Sequence, residues 1–120
     1  MNERVESILE KMLEDAEDII AITKEAGSFD IFSHDMRTRK AVIMSLLNIG
    51  ELASKLPSEY KAIYSNIPWK SMIGMRNYAA HGYHTMNLRT VWATTQTSIP
   101  ILITFLKSQL HLDKKEGTEV

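Results

Sequence analysis

Val5-Glu6-Ser7-Ile8-Leu9-Glu10-Lys11-Met12-Leu13-Glu14-Asp15-Ala16-Glu17-Asp18-Ile19-Ile20 is the stretch that decides the fold. Its apolar side chains, Val5, Ile8, Leu9, Met12, Leu13, Ala16, Ile19 and Ile20, recur at steps of three and four, the period of a one-sided helix. The positions between them are mostly Glu, Asp and Lys, which face water. Gly27-Ser28 ends this helix, and residues 29–34 read as a loop or short turn. A second helix starts near Asp35 or Thr38, runs to about Leu56 and is stopped by Pro57. Its apolar stripe, with Val42, Ile43, Leu46, Leu47, Ile49, Leu52, Ala53 and Leu56, is wide, so it is expected to be the central and most buried helix.

Further along, residues 58–65 suit a short helix with Ser58 as its cap. Pro68 fits the first turn of the next helix, where the N–H it lacks has no partner. That helix carries Trp69, Met72, Ile73, Arg76, Ala79 and Ala80, with Gly82 as a C-terminal breaker. The last helix begins near Asn87, and Leu88, Val91, Trp92, Thr95, Ile99, Leu102, Phe105 and Leu106 keep its period. Pro100 inside it removes a backbone hydrogen bond and predicts a kink. The methionines, among them Met12, Met44, Met72 and Met75, read as core fillers. Trp69 and Trp92 read as core or interface anchors. No strand pattern interrupts the helices. The expectation is all-α: an up-and-down bundle of four main helices plus a short extra one, forming a single domain over residues 1–112 with a frayed polar tail at 113–120.

A chain of 120 residues supports one core. With no cysteine, disulfides, thiolate metal sites and thiol nucleophiles drop out together, which suits a reducing, cytoplasmic setting. The first residues lead straight into an acidic helix, so no secretory signal is expected, and no run is apolar enough for a membrane span. The net charge of −1 hides an asymmetry. Residues 1–35 hold ten acids and three bases, whereas residues 36–90 hold two acids and eight bases. Arg37, Arg39, Lys40, Lys70, Arg76 and Arg89 lie in that basic segment, a field a polyanion prefers. The plainer reading is that acidic and basic helices pair within the bundle.

Within the basic segment stands Arg76-Asn77-Tyr78-Ala79-Ala80-His81-Gly82-Tyr83. Arg carries a planar fork of N–H donors that fits a phosphate and keeps its proton. His both accepts and donates a proton near neutrality. A phosphate clamp beside a proton shuttle is what phosphodiester chemistry needs when no metal does the work. On an ideal helix five residues turn about 500°, leaving Arg76 and His81 ~140° apart. Either His81 lies in a pliable last turn, or Arg76 of one subunit works with His81 of another.

The order Ile49-Gly50-Glu51, Ile67-Pro68-Trp69, Gly74-Met75-Arg76-Asn77 and His81-Gly82-Tyr83, followed by Val91-Trp92, resembles the HepT-like branch of the HEPN domains. These are ribonuclease toxins encoded beside MNT-type nucleotidyltransferase antitoxins, and the likeness covers about residues 4–110. It implies a two-fold homodimer in which two Arg/His sets share a cleft. It implies a metal-independent endoribonuclease, with Arg76 and His81 catalytic and Asn77 and Glu51 in support, and no cofactor. It also implies that Tyr83 accepts AMP from the partner nucleotidyltransferase, silencing the nuclease, with Tyr78 as a competing acceptor. Ala79-Ala80 departs from the family's bulkier aliphatic pair, and His84 adds a second imidazole that a solvated turn would explain.

Plainer readings stand beside these. Arg76 could bridge to Glu51 or Asp35 for structure alone, and His81 could simply sit at a helix C-terminus. His81 with His84 lacks a fixed third ligand, so a metal site is weakly supported. A non-catalytic HEPN subunit that only binds a nucleotidyltransferase or its nucleotide is the alternative function; retention of both Arg76 and His81 argues for the nuclease.

Overall fold

Asn2 opens the first helix by accepting the Val5 amide at 2.8 Å. Gly27 closes it at φ 82°, a left-handed conformation that side chains resist, with its N–H donating to Thr23 at 2.9 Å. The computed structural model, which describes residues 1–80 and 86–111, runs α1 (Glu3–Ala26), α2 (Phe29–His34), α3 (Met36–Ser54), α4 (Ser58–Ile63), α5 (Trp69–Ala80), α6 (Leu88–Ala93) and α7 (Ile99–Gln109). A π turn, Thr94–Ser98, joins α6 to α7. There is no strand among the described residues, and the chain is all-α as expected. Four long helical units are present, but two short helices accompany them rather than one.

The extra one is α2, where a loop or short turn was expected. Six residues are too few to display a helical period, yet Ser28 accepts the Ile31 amide at 3.2 Å and so caps the turn. Phe32 then points inward and is fully buried, its ring 5.2 Å from that of Trp92. Tertiary burial, not local propensity, makes this helix. Asp35 starts α3 by accepting the Thr38 hydroxyl at 2.8 Å and the Arg37 amide at 3.1 Å. The Thr38 bond first, and the Arg37 amide with it, hold the Asp35 carboxyl below its ordinary range. At α4 the expected cap is displaced by one residue: Pro57 occupies the N-cap and Ser58 lies inside the first turn.

The core is a row in which α3 packs between α5 and α1, and α1 between α3 and α7. Nine residues of α1 and seven of the shorter α3 are buried, so the two helices share the centre and α3 does not hold it alone. Met12 is fully buried, but Met44 is 59% exposed, because it lies on the outer face of α3. Trp69 is a core anchor, with its indole N–H donating to the Tyr64 carbonyl at 3.0 Å. Trp92 packs on Phe29 and Phe32. Trp69 is buried and Trp92 half-buried. Pro100 lies in the first turn of α7, directly after the π turn, and the widened turn absorbs the hydrogen bond that proline cannot make.

Tyr60 ties α4 to the end of α7, its hydroxyl donating to Gln109 Oε1 at 2.9 Å. Burial pushes this phenol up to about 12, with Tyr64 adding to the effect. The folded state therefore favours the neutral form. Stability is present below the unfolded value near 10 and is lost as pH rises from there through about 12. Melting temperatures are expected to fall across that window, and Tyr60→Phe should flatten the fall. An equal decline in the variant would contradict the assignment.

Candidate active site

The site begins with a helix crossing. Gly50 is buried on α3 where the Met72 carbonyl of α5 presses against it; a β-carbon there would collide with that backbone. Arg76 follows Met72 by one helical turn, so it emerges on the same face, directly beyond the crossing. A β-carbon at Gly50 would stand 3.7 Å from that of Arg76. From there the guanidinium reaches the next residue of α3, and Nη1 donates to Glu51 Oε2 at 3.0 Å. Ile49, 2% exposed, anchors the same tripeptide in the core. In Ile49-Gly50-Glu51 one residue packs, one admits α5 and one receives the arginine.

This resolves the choice of partner left open for Arg76. Glu51 is bonded to it, while Asp35 is occupied in capping α3. The Arg76 and Glu51 side chains are 40% and 53% exposed. An ion pair so open to water is worth only ~0–1 kcal/mol, so stability does not explain it. Among the described residues Glu51 engages one of the five N–H donors of the guanidinium, which leaves the others able to donate to a phosphate. Asn77, the next residue on α5, is exposed. His81, Gly82, Tyr83 and His84 lie outside the described residues, as does the side chain of Tyr78, so the structure brings together Arg76 and Glu51 and is silent on the rest.

Beside Glu51, between α1 and α3, runs a polar groove of about 340 Å³ lined by Lys11, Glu14, Asp15, Asn48, Glu51, Leu52 and Lys55. Burial raises the Asp15 carboxyl above its ordinary value, against a hydrogen bond with Asn48 that lowers it. Since the charged form is the one penalised in the folded state, the cost is present near neutrality and vanishes below both folded and unfolded values. Asp15→Asn is therefore expected to raise the melting temperature at pH 7, with the gain disappearing in acid. A gain that persists there would point to another cause.

Two features escaped the sequence reading. Gly50 interrupts an apolar helical stripe, and an isolated helical glycine costs ~1 kcal/mol relative to alanine, which is a signal of close packing. The stacking of Arg89 on Phe29, 4.4 Å from guanidinium carbon to ring centroid, joins residues sixty positions apart and had no local signal.

With this geometry in place, comparison with known proteins is informative. Residues 12–109 match the family model described as ribonuclease HepT-like. A protein of Caldanaerobacter subterraneus provisionally named an RNase is 36% identical over 106 residues, spanning 88% of this chain and 94% of its own length. Another of that provisional name, from Methanocaldococcus jannaschii, is 36% identical over 96 residues, 80% of this chain and 78% of its own. A "Probable ribonuclease HepT" of Thermococcus cleftensis is 36% identical over 94 residues, covering 78% and 84%. No solved structure matches the chain significantly.

Proposed function

The chain belongs to the ribonuclease HepT-like family, and from that premise we propose that it cuts RNA by internal attack at a cleft built from two copies of the chain. The ribose 2′-oxygen bonds to the adjacent phosphorus, the bond to the 5′-oxygen breaks, and a 2′,3′-cyclic phosphate and a 5′-hydroxyl result. His81 takes the proton from the 2′-hydroxyl or returns one to the leaving oxygen. Arg76 binds the non-bridging oxygens and stabilises the charge that grows on them. Glu51 positions the guanidinium, and Asn77 adds a neutral hydrogen bond to the same group.

The observation that carries this reading is the state of Arg76: held to Glu51 at 3.0 Å, yet 40% exposed with donors to spare. A guanidinium committed to structure would be enclosed by its partners. The ~140° that an ideal helix puts between positions five apart favours Arg76 and His81 from different protomers. The side chains supply the charge stabilisation and the proton transfer that a divalent ion would otherwise provide. Cleavage should accordingly persist in excess chelator and leave cyclic phosphate ends; loss of activity there would contradict the mechanism.

The biological role follows the same family: a cytoplasmic toxin neutralised by a nucleotidyltransferase. The Tyr83 phenol oxygen would attack the α-phosphate of a nucleoside triphosphate, expelling pyrophosphate and releasing its own proton. The adduct, two residues from His81, would fill the cleft with negative charge and exclude RNA. Among the described residues no helix is long and apolar enough to cross a membrane. Growth arrest on expression, relieved by His81→Ala, and mass spectrometry of Tyr83 after co-expression with a neighbouring nucleotidyltransferase test these points. An unmodified Tyr83 would remove the second.

A further inference from the structure

We propose that α2 and the cations around it form a second RNA contact, remote from Arg76, that grips the phosphate backbone flanking the cut. The inference rests on the RNA-cleaving reading and adds where the uncut part of the substrate lies.

At one end of α2 the Arg89 guanidinium stacks on the Phe29 ring, 4.4 Å from its centroid. Phe29 is held in turn against Trp92, centroids 6.4 Å apart, and Phe32, at 6.3 Å. At the other end Arg39 Nη1 donates to the Ser33 carbonyl at 2.6 Å. Six helical residues span ~9 Å, so two guanidinium groups are held at the ends of a short rod. Arg37 adds exposed positive charge from the first turn of α3. The carboxylates on α2 and at its C-terminus are Asp30, close to His34 at 3.5 Å, and Asp35, which is committed to its cap. Arg37, Arg39 and Arg89 against these two carboxylates leave a positive field.

Stacked and carbonyl-bonded guanidinium groups have already lost much of their rotational freedom, so binding phosphate orders them at little further cost. Their remaining in-plane N–H groups match phosphate oxygens. Among the described residues no carboxylate pairs with Arg89. Ile31 and Met36, 53% and 55% exposed, lie in the same region and offer apolar surface to bases. The aromatic rings beneath Arg89 are consumed in packing, which leaves charge as the dominant feature and a polyanion as the fitting occupant. Arg39 and Glu51 are twelve residues apart on α3, ~18 Å along its axis. A strand must bridge that distance to feel both sites, so the patch should act only on longer RNA.

Binding of a long 2′-O-methyl RNA, which internal attack cannot cut, is compared for wild type and Arg37→Ala/Arg89→Ala by fluorescence anisotropy. The double variant is expected to bind about tenfold more weakly, with the slope of log affinity against log salt shallower by about 0.7 per lost phosphate contact. On cleavable RNA, KM should rise for the long substrate with kcat unchanged, and a dinucleotide should show no difference. Arg89→Lys, which keeps the charge and loses the fork, should fall between. Equal affinity and equal salt slope would overturn the patch as an RNA contact, whether or not these side chains serve an acidic protein. Because the methylated RNA reports binding alone, a wild type that binds but never cuts would remove the nuclease premise and leave the patch standing.

Discussion

Arg76→Ala is expected to lower RNA cleavage by about 10²–10³ while leaving the melting temperature almost unmoved. The first figure is the loss typical when one preorganised donor to a developing oxyanion is removed. The second follows from the exposure of the Arg76–Glu51 pair, which limits its contribution to ~0–1 kcal/mol. His81→Ala should cost about 10²–10⁴, the usual worth of a positioned acid or base. Arg76→Lys restores charge without the planar fork, so recovery should be partial. A further measurement tests the shared cleft. When Arg76→Ala and His81→Ala chains are mixed, a mixed dimer keeps one intact site only if Arg76 and His81 come from different protomers. Recovered activity is the expected result. Wild-type rates in both single variants would overturn the site, and absence of recovery would overturn its division between chains.

Gly50→Val should both destabilise the fold and abolish cleavage. The added β-carbon meets the Met72 carbonyl, which belongs to the α5 backbone and cannot rotate aside as a side chain would. Either α5 lifts off α3 or α3 bends. Overpacking of this kind costs ~1–3 kcal/mol, and each kcal/mol moves the melting temperature of a chain near this size by ~4 °C. Lifting α5 also withdraws Arg76 from Glu51, since both depend on the same crossing. Gly50→Ala should share the defect in milder form. Stability measured by thermal melting and cleavage measured on the same sample separate the two effects. A Gly50→Val protein with native stability and activity would mean that the crossing does not position the arginine.

The helical class was legible because its evidence is local. The spacing of Val5, Ile8, Leu9, Met12, Leu13, Ala16, Ile19 and Ile20 reports a buried face; the first seven are buried and Ile20 is half-buried against the core. Gly27, Asp35 and Asn87 are punctuation whose chemistry acts within four residues: a left-handed turn, and two side chains that accept amides at the start of a helix. Residues 29–34 failed the same method because a single turn has no period, and the burial of Phe32 that stabilises it comes from Trp92, sixty positions away. Met44 misled for a related reason: apolar character marks a candidate for the core, but the face of α3 that meets its neighbours decides which candidates are covered.

For the candidate site the division is similar. Residue chemistry and the resemblance carried by order along the chain nominated Arg76, Asn77, His81, Tyr83 and Glu51 as candidates. They left two acids competing for Arg76. Glu51 and Arg76 are 25 positions apart, and no periodicity relates them. The pairing arises because Gly50 lets two helices approach until the next turn of one overlies the next residue of the other. Periods and caps are read from neighbours in the chain, so composition and spacing settle which segments are helical, where they end and where charge accumulates. Contacts between helices depend on volumes excluded across the core, and only the packed chain decides that Arg76 rests on Glu51 and that Arg89 lies over Phe29.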